Sequence, residues 1–186
     1  AWIILKVCGI RLKVRGRENI EPGQRYVILS NHASYLDPPA LVLALGLQYR
    51  WVIKKELRKV PLFGLALEAS RNLFIDRSKG SDALESIKRG VGQLPDGTGI
   101  LIFPEGTRSW DGKLLPFKKG GFVIAQDGEL PILPVTICGS HQRLPKGSAA
   151  FSSGDIEIVI HPPMASGALP LDDLMTDVRN SIASSL

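Results

Sequence analysis

Cysteine is scarce in this chain: Cys8 and Cys138 lie far apart and form no C-x-x-C. That excludes a cysteine framework and makes a reducing compartment the default expectation. Histidine is nearly as scarce. His32, His141 and His161 are scattered, with none paired at i+3 or i+4, so no zinc site is expected. The phosphate-cradling G-x-x-x-x-G-K-[ST] loop is missing, as is the G-x-S-x-G elbow that presents a hydrolase serine. No internal repeat and no low-complexity linker interrupt the chain. The opening "AWIILKVCGI" is apolar with one Lys, far short of the roughly 20 residues that span a bilayer. The sequence also begins without Met. Residues 1–10 are read as the end of a longer membrane-associating N-terminal segment or, equally, as a buried first strand or helix.

What is present is an ordinary globular supply. With 186 residues, 44% of them hydrophobic and 22% charged, the chain suffices for one core, so residues 1–186 are expected to form one domain. The net charge of +5 favours anionic partners. The densest basic stretch, "YRWVIKKELRK", holds Arg50, Lys54, Lys55, Arg58 and Lys59 beside Tyr49 and Trp51. Against an anionic bilayer each such charge contributes about 1 kcal/mol. Taken singly, basic residues are more often a solvated face. No aromatic-interleaved recognition motif accompanies them, and nucleic acid is not an expected partner.

Short β-branched runs predict strands at "RLKVRG", "RYVILS", "RWVIK", "NLFID", "GILIF", "ILPVTIC" and "DIEIVIH". Helical patterns fall between them: "PPALVLALGL", "VPLFGLALEAS", "GSDALESIKRGVGQL", "GGFVIAQDG" and "LPLDDLMTDVRNSIASSL". Asp37 is expected to cap the first of these, with Pro38 at the first helical position. The alternation predicts an α/β fold, a mostly parallel sheet flanked by helices. Sites in such sheets form at the carboxyl ends of strands. That rule selects "SNHASYLD", "DRSKG" and "PEGTRSWDG", all polar or charged.

In the first of these, His32 and Asp37 are five apart, about 140° around an ideal helix, so a helix would separate them. A turn between strand and helix can instead bring the carboxylate against the imidazole. It would then fix the tautomer and leave the other ring nitrogen as a general base. A structural histidine beside a capping aspartate is the plain alternative. Ser34 lacks the nucleophile elbow and is read as a turn residue, so any nucleophile would come with the substrate. In "FPEGTRS", Gly106 permits close backbone approach, while Thr107, Arg108 and Ser109 supply donors. Glu105 would orient Arg108 or accept from a ligand hydroxyl. A surface turn with an internal Glu–Arg pair is the bland reading. Arg77 and Lys79 after "NLFI", and Lys54 and Lys55 after "RWVI", could add positive charge, and Asp76 would pair with Arg77. Pro131 and Pro134 bracket the run "ILPVTIC", where Pro134 suits an edge or strand-start position.

Together these blocks resemble the glycerolipid acyltransferases, specifically the bacterial 1-acylglycerol-3-phosphate (lysophosphatidic acid) O-acyltransferases. "NHASYLD" is similar to the family's N-H-x-x-x-x-D block, "NLFIDR" to F-I-x-R, "FPEGTRS" to F-P-E-G-T-R-S and "LPVTI" to the apolar V/L-P-V block. They run in the family's order from Asn31 to Ile137. "KKELRKVPLFG" is similar to its K-x-E-L…P-x-x-G stretch. The second block is usually preceded by glycine, as in G-x-x-F-I-x-R; here Arg71 and Asn72 stand before "LFIDR".

The resemblance implies a glycerol-3-phosphate acyltransferase-like fold. It implies His32 as general base and Asp37 as its orienter. It places the acceptor's glycerol phosphate on Glu105, Gly106, Thr107 and Arg108, joined by Arg77 and Lys54, and gives Pro134 a part in donor binding or in shaping the site. Acyl-CoA or acyl-carrier protein would be the donor and lysophosphatidic acid the acceptor, with no cofactor or metal. The expected location is an anionic membrane surface, the cytoplasmic face of the inner membrane. Open alternatives are another lysolipid acceptor, such as a lysophospholipid or lyso-ornithine lipid, a hydrolase activating water, and a non-catalytic membrane- or lipid-binding module.

Overall fold

The structure is a computed structural model that describes residues 1–61, 63–76 and 81–186. Strands β1 (Ile10–Arg15), β2 (Val27–Ser30), β3 (Tyr49–Lys54), β4 (Leu73–Ile75), β5 (Gly99–Ile102), β6 (Ile132–Cys138) and β7 (Gly154–Ile160) form one sheet, ordered β1-β7-β6-β2-β5-β3-β4. Its helices are α1 (Trp2–Val7), α2 (Asp37–Leu45), α3 (Phe63–Ala69), α4 (Ser81–Gly92), α5 (Gly120–Asp127), α6 (Ser140–Arg143) and α7 (Leu171–Ala183). Each predicted strand is present, and α2, α3, α4, α5 and α7 fall where the helical patterns stood.

The central strand β2 is buried along its whole length because helices cover both faces of the sheet. Its side chains alternate between two cores. Ile28 packs with Leu5, Leu41 and Leu45 on the α1/α2 face. Val27 and Leu29 pack with Ile87, Phe122 and Val178 on the α4/α5/α7 face. Helix α7 buries Leu174, Val178 and Ile182, a single stripe at i, i+4 and i+8. Helix α3 carries Gly64 where a β-carbon would lie 2.1 Å from the Arg58 carbonyl oxygen, so the glycine reflects a close backbone approach.

The pairs β2–β5, β2–β6, β5–β3, β3–β4 and β1–β7 are parallel, while β6–β7 is antiparallel. The connection from β6 to β7 holds only the four-residue α6 and no longer helix laid back along the sheet, and β7 returns antiparallel beside β6.

Two local expectations are corrected. Pro134 lies inside β6, an interior strand between β7 and β2. It is tolerated there because the β6–β7 register starts at Val135–Ile160. Pro134 still accepts from the His161 N–H at 3.0 Å, so the donor that proline lacks is missing only where β7 ends. Asp37 does not cap α2: Leu36 occupies the cap position and Asp37 is the first helical residue. The next two residues, Pro38 and Pro39, have no N–H for a capping oxygen to accept. The Asp37 carboxylate is therefore turned back toward the preceding loop.

Candidate active site

Strands β2, β5 and β3 are parallel neighbours, so the loops at their carboxyl ends lie side by side. This juxtaposition brings residue 32 to residues 103–108 across more than seventy positions of sequence.

The β2–α2 loop is anchored at several points. The Asn31 side-chain amide donates to the Ile137 carbonyl at 2.9 Å, and its oxygen accepts the Ile137 N–H at 2.7 Å, fastening the loop's start to β6. Ser34 is fully buried and its hydroxyl donates to the Leu144 carbonyl, so it is a turn residue as the sequence suggested. Asp37 is also fully buried. Its Oδ2 accepts the N–H groups of Ala33 and Ser34, each at 2.8 Å, and lies 2.7 Å from His32 Nδ1. A carboxylate oxygen can only accept, so Nδ1 carries a proton, and in the neutral ring Nε2 keeps its lone pair. The imidazole lies flat on Phe103, with ring centroids 3.8 Å apart and 9° between planes. Asp37 on the ring edge and Phe103 on the ring face together fix its orientation.

Glu105 forms no ion pair with Arg108 among the described residues. It is buried, with Oε1 accepting the His32 N–H at 2.6 Å and Oε2 accepting the Leu115 N–H at 2.8 Å. The expectation that it faces the substrate phosphate, or orients Arg108, is corrected: both oxygens are committed to backbone. Burial pushes its carboxyl up to about 7. The two backbone donors pull in the opposite direction, the negative charge of Asp37 adds to the rise, and Arg179 opposes it. Arg179 on α7 also donates to the Leu114 and Leu115 carbonyls, so the helix, the 114–115 loop, Glu105 and His32 form one hydrogen-bonded chain. A further bond, Ser109 N–H to the His32 carbonyl at 2.9 Å, ties the two loops again.

Gly106 adopts φ 74°, in the left-handed region. Its missing β-carbon would sit 3.0 Å from Lys118 Cε and 3.1 Å from Nζ, so this lysine stands against the backbone of the loop. Thr107 is exposed. The Arg108 guanidinium lies over the Tyr35 ring, 3.5 Å from its centroid, and its Nη1 is buried without a hydrogen-bond partner among the described residues. Lys146 donates to the Arg108 carbonyl at 2.9 Å and to Thr107 Oγ1 at 3.3 Å.

His32, Trp51, Lys54, Phe103, Thr107 and Arg108 line one cleft of about 400 Å³. A smaller apolar cavity of about 210 Å³, lined by Ile75, Leu84, Ile102 and Ile124, shares Val52, Phe103 and Gly106 with it. Lys54 thus stands at the cleft, with Glu56 at 3.6 Å. Lys55 pairs with Asp76 at 2.6 Å; the expected Asp76–Arg77 pair falls outside the described residues. Arg77 and Lys79 lie outside the described residues. Pro134 does not line the cleft; it is buried in the sheet opposite Leu29. Among the described residues no cluster of three or more His, Cys, Asp or Glu could hold a metal ion.

Sequence reasoning missed Phe103, Tyr35, Lys118 and Lys146. The first two stand inside the recognised blocks and could have been flagged as aromatics next to charged groups. Lys146 had no such signal, because only the packing of the segment after β6 brings it to Arg108.

Arg71 stands where the similar family has the glycine of G-x-x-F-I-x-R. It closes α3 with φ 53°, its N–H bonded to the Glu68 carbonyl and that of Asn72 to the Leu67 carbonyl. The usual glycine is thereby explained as a left-handed helix terminus.

With fold and geometry in place, comparison with known proteins defines the class. A family model described as Acyltransferase matches residues 11–138, and the chain belongs to that family. It is 35% identical over 179 residues to human 1-acyl-sn-glycerol-3-phosphate acyltransferase alpha, covering 94% of this chain and 63% of that protein. It is 34% identical over 175 residues to the chloroplastic 1-acyl-sn-glycerol-3-phosphate acyltransferase BAT2 of Brassica napus, covering 93% of this chain and 50% of that one. The chain therefore spans between half and two thirds of the length of these curated relatives. The crystal structure of the 1-acyl-sn-glycerophosphate (LPA) acyltransferase PlsC from Thermotoga maritima superposes with a TM-score of 0.84 at 28% identity, over 99% of this chain and 74% of that chain.

Proposed function

We propose that this protein moves a fatty acyl group from the thioester of acyl-CoA or acyl-carrier protein to the free hydroxyl of lysophosphatidic acid, forming phosphatidic acid. The observation that carries the reading is the cleft that holds His32, fixed by Asp37, together with Arg108, whose Nη1 has no hydrogen-bond partner among the described residues. The acyltransferase names of the relatives support the same acceptor and product.

In this mechanism His32 Nε2 takes the proton of the acceptor hydroxyl as its oxygen attacks the thioester carbonyl carbon. The C–S bond then breaks, and the imidazolium returns the proton to the departing thiolate. No acyl-enzyme forms. Asp37 supports the transient positive charge on the ring, a contribution within the 10²–10⁴-fold typical of general-base catalysis. Arg108 holds the acceptor phosphate with Thr107 and Lys54, Gly106 shapes the turn with its N–H donated to the Phe103 carbonyl at 3.0 Å, and Arg77 is assigned to the same cluster from the resemblance alone. The apolar cavity beside Phe103 suits an acyl chain. Glu105 serves by positioning the His32 loop, and the role first given to Pro134 reduces to packing behind it. Neither a metal nor a cofactor enters the scheme.

We place the protein at an anionic membrane surface, on the cytoplasmic face of the inner membrane where CoA and carrier-protein thioesters are supplied. No helix among the described residues is long and apolar enough to cross a membrane. Surface contact is supported by the exposed Trp2, Ile3, Ile4 and Val7 of α1, and by exposed Leu57 and Val60 among Lys55, Arg58 and Lys59. The test crosses both donors with lysophosphatidic acid, head-group lysophospholipids, lyso-ornithine lipid and no acceptor, and follows thioester consumption and product. Lysophosphatidic acid is expected to be the fastest acceptor. Preferred turnover of another lysolipid would reassign the acceptor, and free fatty acid without acceptor would indicate a hydrolase. Vesicle binding without turnover would indicate a lipid-binding module.

A further inference from the structure

Arg108 is held in an uncommon way for an arginine at the rim of a cleft. Among the described residues no carboxylate lies within ion-pair distance of its guanidinium, and its side chain donates no hydrogen bond to protein. The group that holds it is the face of Tyr35, 3.5 Å from the ring centroid. The difference matters for binding an anion. A carboxylate partner would occupy two of the five donors and cancel the charge. An aromatic face orients the planar cation while leaving its in-plane N–H groups free and its charge intact.

Tyr35 is well placed for that work. It belongs to the His32 loop, between Ser34 and Leu36, both of which are buried. The Ser34 hydroxyl accepts the Leu36 N–H and donates to the Leu144 carbonyl, so the backbone on either side of Tyr35 is fixed. Tyr35 is 59% exposed, so core packing does not account for it. On the opposite loop, Lys146 fixes the Arg108 backbone through its carbonyl. The stack therefore spans the loop that carries His32 and the loop that carries Arg108.

We propose that Tyr35 is a positioning residue for the acceptor phosphate, holding Arg108 as a free, oriented donor at a set distance from His32. This rests on the phosphate-clamp reading of Arg108 given above. Removing the ring leaves the chemistry at His32 in place but lets the guanidinium swing into solvent. The cost then appears in acceptor binding.

The experiment measures kcat and KM for lysophosphatidic acid, and KM for acyl-CoA, in Tyr35→Ala, Tyr35→Phe, Arg108→Ala and the Tyr35→Ala/Arg108→Ala pair. Monoacylglycerol of the same chain length serves as an acceptor without phosphate. Thermal unfolding of each variant checks the fold. Tyr35→Ala is expected to raise the lysophosphatidic acid KM about three- to tenfold. Its kcat, donor KM and monoacylglycerol KM should stay near wild type. Tyr35→Phe, which keeps the ring face, should restore the acceptor KM. In the Arg108→Ala background the Tyr35→Ala change should add nothing. If Arg108→Ala raises the acceptor KM while Tyr35→Ala leaves it unchanged, the positioning role is wrong and the clamp stands. An equal KM rise for both acceptors in Tyr35→Ala also overturns it. If Arg108→Ala itself leaves the acceptor KM unchanged, the clamp reading falls and takes this proposal with it.

Discussion

Glu105 reaches under the His32 loop and accepts the backbone N–H of His32 at 2.6 Å, while its other oxygen accepts that of Leu115. The acid of the F-P-E-G-T-R-S block is thus a brace between two loops, and the block's cleft-lining charge is that of Arg108. Glu105→Ala leaves two backbone donors without their acceptor, at a cost of about 2–4 kcal/mol. Chemical denaturation should show that loss together with a fall in kcat. Unchanged stability would remove the brace.

The same carboxyl makes stability depend on pH. Its value in the fold is pushed up to about 7 from 4.5, mainly by burial. Between those values the folded chain holds a proton that the unfolded chain has released. The resulting stabilisation is full below the unfolded value and is lost as pH rises through about 7, a change of roughly 3 kcal/mol. Glu105→Gln cannot titrate. The difference in unfolding free energy between wild type and this variant should therefore fall by that amount across the window. Parallel pH curves would show that Glu105 titrates as an ordinary carboxylate.

Asp37 Oδ2 takes one ring nitrogen and two backbone N–H groups. Asp37→Asn keeps the shape but cannot be a charged acceptor for all three. A drop in kcat of about 10²–10⁴ is expected. It should come without a matching rise in acceptor KM, because the Asp37 carboxylate is bonded within its own loop, to His32, Ala33 and Ser34. A variant with wild-type kcat would show that ring orientation is set elsewhere, for instance by Phe103 alone.

Arg71 holds a left-handed conformation at the end of α3. Arg71→Gly should stabilise the fold by about 1 kcal/mol, through relief of the side-chain strain that glycine escapes. Acceptor preference should be unaffected. Thermal unfolding and the acceptor panel check the two halves, and a changed preference would give Arg71 a substrate role.

Much of this architecture was legible because the signals were local. β-Branched runs separated by helical patterns locate every strand, and the parallel-sheet rule alone brings "NHASYLD" and "FPEGTRS" to one edge. The misreadings came from interactions that local sequence does not encode. Asp37 looks like a cap until Pro38 and Pro39 are counted as missing donors. Pro134 looks like an edge residue, yet the end of β7, a feature of a distant strand, makes its interior place affordable. Glu105 next to Arg108 in sequence suggests a pair, but backbone N–H groups of residues 32 and 115 claim both its oxygens. Lys146 reaches Arg108 only through tertiary packing. The antiparallel β6–β7 step is not encoded in periodicity, which locates both strands but not their relative direction.

The central claim is that His32 removes the acceptor's proton and that no side chain of the protein is acylated. The direct measurement is acyl transfer to lysophosphatidic acid by His32→Ala, with circular dichroism and thermal unfolding matching wild type. The account predicts a loss of at least about 10²-fold in kcat. Transfer near the wild-type rate by the folded variant would contradict it.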